Sequence, residues 1–162
     1  MELTLCIIKP HVVTAPHTLK AIKDIIILNN FHIVDSLITA MTKDQVEVFY
    51  NEHKGKFFYN RLVTQMRSGP SEINILARED AIRKWRELLG PTKVYTSRFS
   101  HPDTIRGMYG ISDTRNAAHG SDSPESAARE ISIFFPHFSI TKWLRDNELI
   151  SPVPGRNARA NR

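Results

Sequence analysis

The stretch Asn116-Ala117-Ala118-His119-Gly120-Ser121-Asp122-Ser123-Pro124 sets one imidazole just ahead of a helix start, beside a glycine and three small polar residues. Free amides and the positive dipole end at such a start favour a phosphate group. Neutral imidazole is a competent nucleophile at pH 7, so His119 is a candidate to bind a phosphoryl group or to attack it. Glu130 lies seven residues after Ser123, two turns along the same helix face. A carboxylate there would orient the ring and stabilise positive charge on it. The same spacing also reads as ordinary capping by Gly120, Ser121, Asp122 and Ser123, and at this point both readings stand.

Arg86, Thr92 and Arg106 fall at a helix end or in the loop that follows. Guanidinium forks match phosphate oxygens, and a hydroxyl adds a further donor. Singly, each reads as a solvated surface residue; together they read as a clamp for a string of phosphates. Lys9, just after the first strand, offers another donor. Phe58, within Gly55-Lys56-Phe57-Phe58-Tyr59, offers a face on which a base of any identity stacks, with a core role for both phenylalanines as the alternative. Tyr50, eight residues earlier, either aims its hydroxyl at the same site or is buried with one hydrogen bond.

These side chains need elements to position them. Residues 3–8 form a short apolar run of strand length that ends at Lys9-Pro10, where proline withdraws a ladder donor. A helix follows Pro16, with Leu19, Ile22 and Ile26 on one stripe, and stops at Asn29-Asn30. Residues 31–41 return to β-type side chains. Thr42 and Gln45 make a capping-box pattern for a helix through Tyr50. Another helix spans residues 58–67 and ends at Ser68-Gly69-Pro70, with glycine in the left-handed closing position. Residues 72–77 predict a third strand, after which Asp80 caps a helix carrying Ala81, Trp85 and Leu88 and closed by Gly90-Pro91. No helical period survives over residues 92–120, a loop too long to be mere connection. Ser123 and Pro124 start the last strong helix, through Ile131 and Phe134. Only residues 116–119 are available for a last strand, and beyond Phe138 the chain reads as an irregular tail. This order predicts an α+β sandwich with helices on one face of a mainly antiparallel sheet.

At 162 residues and 18.5 kDa the chain has the size of one ordinary domain. With 41% hydrophobic and 24% charged residues, wholesale disorder is excluded. The longest apolar run is four residues, so no membrane-spanning helix is expected. Cys6 is the single cysteine, which rules out a disulfide scaffold. The net charge of +5 invites a polyanionic partner. Residues 141–162 carry five basic and two acidic side chains, so most of the excess is a basic tail on a nearly balanced body, residues 1–140. That distribution does not favour a nucleic-acid footprint across the fold. The seven histidines show no metal-ligand spacing, which disfavours a metal hydrolase. The opening residues read as a strand rather than a leader, so a cytoplasmic location is expected, or a mitochondrial one without a clear transit peptide.

From about residue 3 to residue 138 the sequence resembles the nucleoside diphosphate kinase family. The landmarks are Ile8-Lys9-Pro10, Tyr50, Phe58, Leu62-Val63, Ser68-Gly69-Pro70 and Ile105-Arg106-Gly107. Arg115-Asn116-x-x-His119-Gly120-Ser121-Asp122-Ser123, followed by Glu125-Ser126-Ala127 and Glu130-Ile131, is the most specific block. Phe57-Phe58-Tyr59-x-Arg61-Leu62 and Asp113-Thr114-Arg115-Asn116 look like the family's divergent group-II branch. The resemblance implies a ferredoxin-like α/β sandwich with a four-stranded antiparallel sheet. It also implies ping-pong transfer of a γ-phosphate between ATP or other nucleoside triphosphates and nucleoside diphosphates, through a phosphohistidine at His119. By the same resemblance Lys9 and Asn116 hold the ribose, Phe58 stacks on the base, and Arg86, Thr92 and Arg106 grip the phosphates. The resemblance further implies that Tyr50 would lie near the transferred group, that Glu130 and Ser121 would support the histidine, and that Mg2+ would bridge the phosphates with Asp122 touching it through water.

Three departures stand out. His11 replaces the aspartate usual after Lys-Pro, and Asp113 replaces the apolar residue that faces the base. The loop between Thr92 and Arg106 is about three residues longer than in the main branch of the family. In the family that loop builds both the site and subunit contacts, so its added length leaves the usual hexamer unassigned, with self-association or a protein partner as open expectations. These departures motivate a second reading, a weakly active or inactive member that acts by interaction.

Overall fold

Every residue of the strand β1 (Glu2–Ile8) beyond the first is buried. Because side chains alternate across a strand, Leu3, Leu5 and Ile7 face one side of the sheet while Thr4, Cys6 and Ile8 face the other. A strand buried on both faces needs cover on both, so helices pack on the two sides of this sheet rather than on one as expected from element order. The structure, a computed structural model, describes residues 1–148.

Pro10 starts a one-turn helix, α1 (Pro10–Val13), and Pro16 starts α2 (Pro16–Leu28), in both cases at a position where the missing donor costs nothing. Strand β2 (His32–Thr39) follows, then α3 (Lys43–Phe49). The capping box of α3 forms as expected: Thr42 Oγ1 accepts from Gln45 N–H, and Gln45 Oε1 accepts from Thr42 N–H. A single 3₁₀ turn at Asn51–His53 leads to α4 (Tyr59–Met66) and β3 (Ser71–Arg78). Then come α5 (Ala81–Leu89), α6 (Val94–Ser100), α7 (Ile105–Tyr109), β4 (Ala118–Gly120), α8 (Pro124–Phe134) and α9 (Ile140–Glu148). The four strands run in the order β2-β3-β1-β4, each pair antiparallel. This is the ferredoxin-like arrangement, with the long buried strands β1 and β3 at the centre.

One face carries Leu3, Leu5, Ile7, Ile73 and Ile75 against Val46, Phe49, Met66, Ile131 and Phe134 of α3, α4 and α8. The other carries Cys6, Ile8 and Leu76 against Ile22, Ile26, Trp85, Leu89 and Ile105 of α2, α5 and α7. The site residues therefore hang from a sheet clamped on both sides.

Several local expectations are corrected. The segment read as a loop without helical period contains α6 and α7. Asp80 does not cap α5: it sits in the left-handed region at φ 55 and its carboxylate pairs with Arg83. The amide of Ile82 is instead taken by the Glu2 carboxylate at 2.9 Å, a cap supplied by β1. α4 ends without a left-handed Gly69, since the Ser68 hydroxyl donates to Gln65 O at 2.7 Å and closes the last turn. Gly90 does close α5 with φ 81, as expected. The segment beyond Phe138 begins with α9, whose Trp143 and Leu144 pack on the first core cluster; the remaining residues 149–162 of the expected tail lie outside the described residues.

Candidate active site

The shortest strand carries the imidazole. β4 pairs with β1 through Cys6↔Gly120, Ile7↔His119 and Ile8↔Ala118, so His119 points to the opposite face from its two neighbours. Gly120 lies against Trp85, where an added Cβ would come within 2.6 Å of the indole. Trp85 Nε1 donates to His119 O at 3.0 Å, fixing the backbone from the α5 side. Ala117, two residues before the histidine, is held at φ 78, a region that strains a residue with a Cβ. Its carbonyl accepts from Lys9 N–H at 3.0 Å, which ties the strained turn to the end of β1.

On the other face the ring packs edge-on against Phe49, with centroids 4.9 Å apart. His119 Nε2 sits 2.9 and 3.0 Å from the two Glu130 oxygens, and Glu130 is buried. Ser121 Oγ donates to Glu130 Oε2 at 3.2 Å and accepts from Leu5 N–H at 3.1 Å. A relay therefore runs from the sheet backbone through Ser121 and Glu130 to Nε2. With Nε2 engaged by a carboxylate, its proton stays on that nitrogen and Nδ1 carries the lone pair. The His119 side chain is 24% exposed, enough to be reached from the cleft it lines.

That cleft has a volume of about 1110 Å³. It is lined by His119 and Glu130 together with Lys9, Tyr50, Phe58, Arg86, Thr92, Arg106, Asp113, Asn116 and Asp122. Of the expected catalytic, nucleotide-binding and metal-contacting residues, Ser121 alone stays off the wall, buried behind Glu130. Arg86, Thr92, Arg106 and Asp122 also line an adjoining cavity of about 610 Å³, so the cationic end of the cleft is open on a second side.

Electrostatics follow from burial. Lys9 is buried, its Nζ donating to Thr114 O at 3.2 Å, and desolvation, with the Arg106 charge nearby, lowers its pKa to about 7. Arg106 donates to Gly90 O at 2.7 Å and to Ala118 O at 3.0 Å, while its buried Nε has no partner among the described residues. Burial, then Arg86, brings its pKa down to about 10, still charged at neutral pH. Asn116 donates to Asp113 O at 3.0 Å and keeps a buried Oδ1 that has no partner among the described residues. Burial followed by the Glu130 charge pushes the Tyr50 hydroxyl up, so it stays protonated. The Ser126 hydroxyl, with Ser123 and Arg86, holds Asp122 below the usual carboxylate range.

Two expectations are refined here. Phe58 is half-buried at the start of α4, against His53 at 5.5 Å, while Phe57 is 86% exposed, so neither phenylalanine belongs to the core. Asp113 lines the cleft, but its Oδ1 accepts from Val94 N–H at 3.2 Å and fastens the start of α6. The sequence reading missed Arg61, Lys93, Tyr95 and Arg98, which also line the cleft, and Phe49 and Trp85, which hold the histidine. Trp85 reads as an apolar core position in α5, and nothing in the linear pattern links its indole to a backbone on β4.

The family model for nucleoside diphosphate kinase matches residues 2–140. Nucleoside diphosphate kinase 6 of Danio rerio is 52% identical over 91% of this chain and 84% of its own length. The Homo sapiens protein of the same name is 49% identical over 91% of this chain and 80% of its own. The crystal structure of the Aquifex aeolicus nucleoside diphosphate kinase superposes with a TM-score of 0.78 and 38% identity, over 83% of this chain and 94% of that one. A strand order, a relay onto one histidine and a match over nearly the whole described chain converge on one conclusion: the chain belongs to the nucleoside diphosphate kinase family.

Proposed function

We propose that the chain is an active nucleoside diphosphate kinase that works through His119. The observation that carries this reading is the Glu130 carboxylate on His119 Nε2, which leaves Nδ1 as the nucleophile in a cleft lined by Lys9, Arg86 and Arg106. Nδ1 gives its lone pair to the γ-phosphorus of a bound nucleoside triphosphate. The N–P bond forms, the bond from phosphorus to the bridging oxygen breaks, and its electron pair leaves on the nucleoside diphosphate. The positive charge that develops on the ring is met by Glu130, and Nε2 keeps its proton throughout. In the second half an oxygen of the acceptor's terminal phosphate attacks the phosphorus, and the N–P electron pair returns to Nδ1.

The rest of the site positions and neutralises, which is most of what phosphoryl transfer asks of a protein. Arg86, Arg106 and Thr92 hold the phosphates, and Tyr50, kept protonated by burial, stands beside the transferred group. Lys9 and the Oδ1 of Asn116 face the ribose hydroxyls, and Phe58 supports the base. Among the described residues no group of three or more His, Cys, Asp or Glu side chains is placed to cage a metal. One exposed carboxylate, Asp122, at the cationic end of the cleft fits Mg2+ carried in on the nucleotide's phosphates and touched through water. Bound there, Mg2+ would neutralise phosphate charge.

The test is formation of nucleoside triphosphate from diphosphate by folded wild type and by His119→Ala in the presence of Mg2+. The proposal predicts turnover in wild type that the substitution abolishes. Nucleotide affinity without turnover in wild type would instead favour the interaction reading.

A further inference from the structure

Position 113 on the cleft wall is an aspartate whose carboxylate accepts from the Val94 amide. That bond, at 3.2 Å, ties the first turn of α6 to the loop that carries Asp113. A second tie, Arg98 Nη2 to Gly110 O at 2.6 Å, fixes the same helix one turn later, and Ser97 Oγ donates to Pro91 O at 2.6 Å. A seven-residue helix held at three points is a rigid mount. What it presents is Tyr95, the residue next to the Asp113 tie, which lines the same cleft as Phe58. Tyr95 is 73% exposed and packs against Phe99, also 73% exposed, with ring centroids 4.6 Å apart. Large aromatic faces left in water and braced against each other are poor for stability and suited to stacking.

We infer that Tyr95 is the second base-stacking wall of this cleft, with Asp113 acting as the positioning residue that fastens α6. Phe58, just ahead of α4, and Tyr95 from α6 hold the base between them; Ile111, 58% exposed, extends the apolar rim. Stacking between two aromatic faces grows with the area of the base, so purine nucleotides bind more tightly than pyrimidine nucleotides and lose more when Tyr95 is removed. This inference rests on the nucleotide site of the proposed function.

The experiment compares wild type, Tyr95→Ala and Tyr95→Phe, measuring Kd and KM for ADP, GDP, CDP and UDP and for ribose 5-diphosphate, which has no base. Tyr95→Ala should weaken purine nucleotides on the order of tenfold and pyrimidines less, while affinity for the base-free probe stays within about twofold of wild type. Tyr95→Phe should restore wild-type affinity, because the ring rather than the hydroxyl is used. Asp113→Ala should weaken nucleotides in the same purine-biased pattern, through the loosened helix. Purine affinity within twofold of wild type in Tyr95→Ala, or an equal loss for ribose 5-diphosphate, overturns the inference while nucleotide binding stands. Failure of wild type to bind any of these ligands overturns it together with the function it rests on.

Discussion

Glu130→Gln removes a charge while keeping the shape of the relay. Glu130 receives two groups, His119 Nε2 at 2.9 Å and the Ser121 hydroxyl at 3.2 Å, and is buried while doing so. Glutamine keeps a carbonyl oxygen that accepts from Nε2, so ring orientation is largely retained. The variant loses only the extra strength of a charged acceptor. A hydrogen bond to a charged group is worth about 1.5–3 kcal/mol and a neutral one about 0.5–1.5, which leaves about 1–2 kcal/mol. All of it applies to the transition state, where the ring turns positive. At about 1.4 kcal/mol per tenfold, single-turnover phosphorylation should slow by roughly 5- to 30-fold. The assay is rapid-quench mixing with γ-labelled ATP, with denaturant unfolding alongside to show that stability moves little. Phosphorylation at the wild-type rate would refute the charge argument. A loss as complete as that of His119→Ala, in a variant of unchanged stability, would equally contradict it.

Gly120→Ala should destabilise the protein by about 1–3 kcal/mol, since the new methyl group would meet the buried Trp85 indole at 2.6 Å and Leu89 at 3.1 Å; urea unfolding measures it. Trp85→Phe should lower phosphorylation by disturbing His119 through its lost bond to the carbonyl, and cost about 1 kcal/mol or more in the same unfolding assay. Lys9 gives a pH dependence. The unfolded chain holds that proton up to about pH 10.5, the free folded protein only to about 7. In the unliganded protein this group therefore adds stability as pH rises from 7 to 10.5 and subtracts it on the way down. Nucleotide affinity moves the opposite way, weakening above pH 7 as the ammonium is lost, and Lys9→Met should bind weakly with that slope removed, as calorimetric titration across pH 6 to 9 would register.

The site was legible where the chain is contiguous. His119, Ser121, Asp122 and Glu130 lie on one strand, one turn and one helix, so local spacing was enough to place them together. Ser123 does cap α8, accepting from Ser126 N–H at 3.1 Å, so the capping reading holds, and it leaves His119 on the cleft wall. The central strands are legible from their apolar runs, and the near-continuous apolar run of β1 fits burial on both faces better than element order does. α6 was not legible. Val94, Tyr95, Thr96 and Ser97 are weak helix formers, and the helix is held by bonds from Asp113, Gly110 and Pro91 that no local pattern contains. Asp80 misled for the complementary reason. Its residue type suits a cap, yet the Glu2 carboxylate reaches the same helix start from β1, and a left-handed turn carries Asp80 to Arg83.

The most direct measurement is the site of covalent phosphate after wild-type protein meets γ-labelled ATP and Mg2+ for a single turnover. The account predicts one acid-labile phosphate, mapped to His119 by mass spectrometry, discharged on adding a nucleoside diphosphate and absent from His119→Ala. Protein that binds nucleotide but takes no label, or label that persists in His119→Ala, would contradict it.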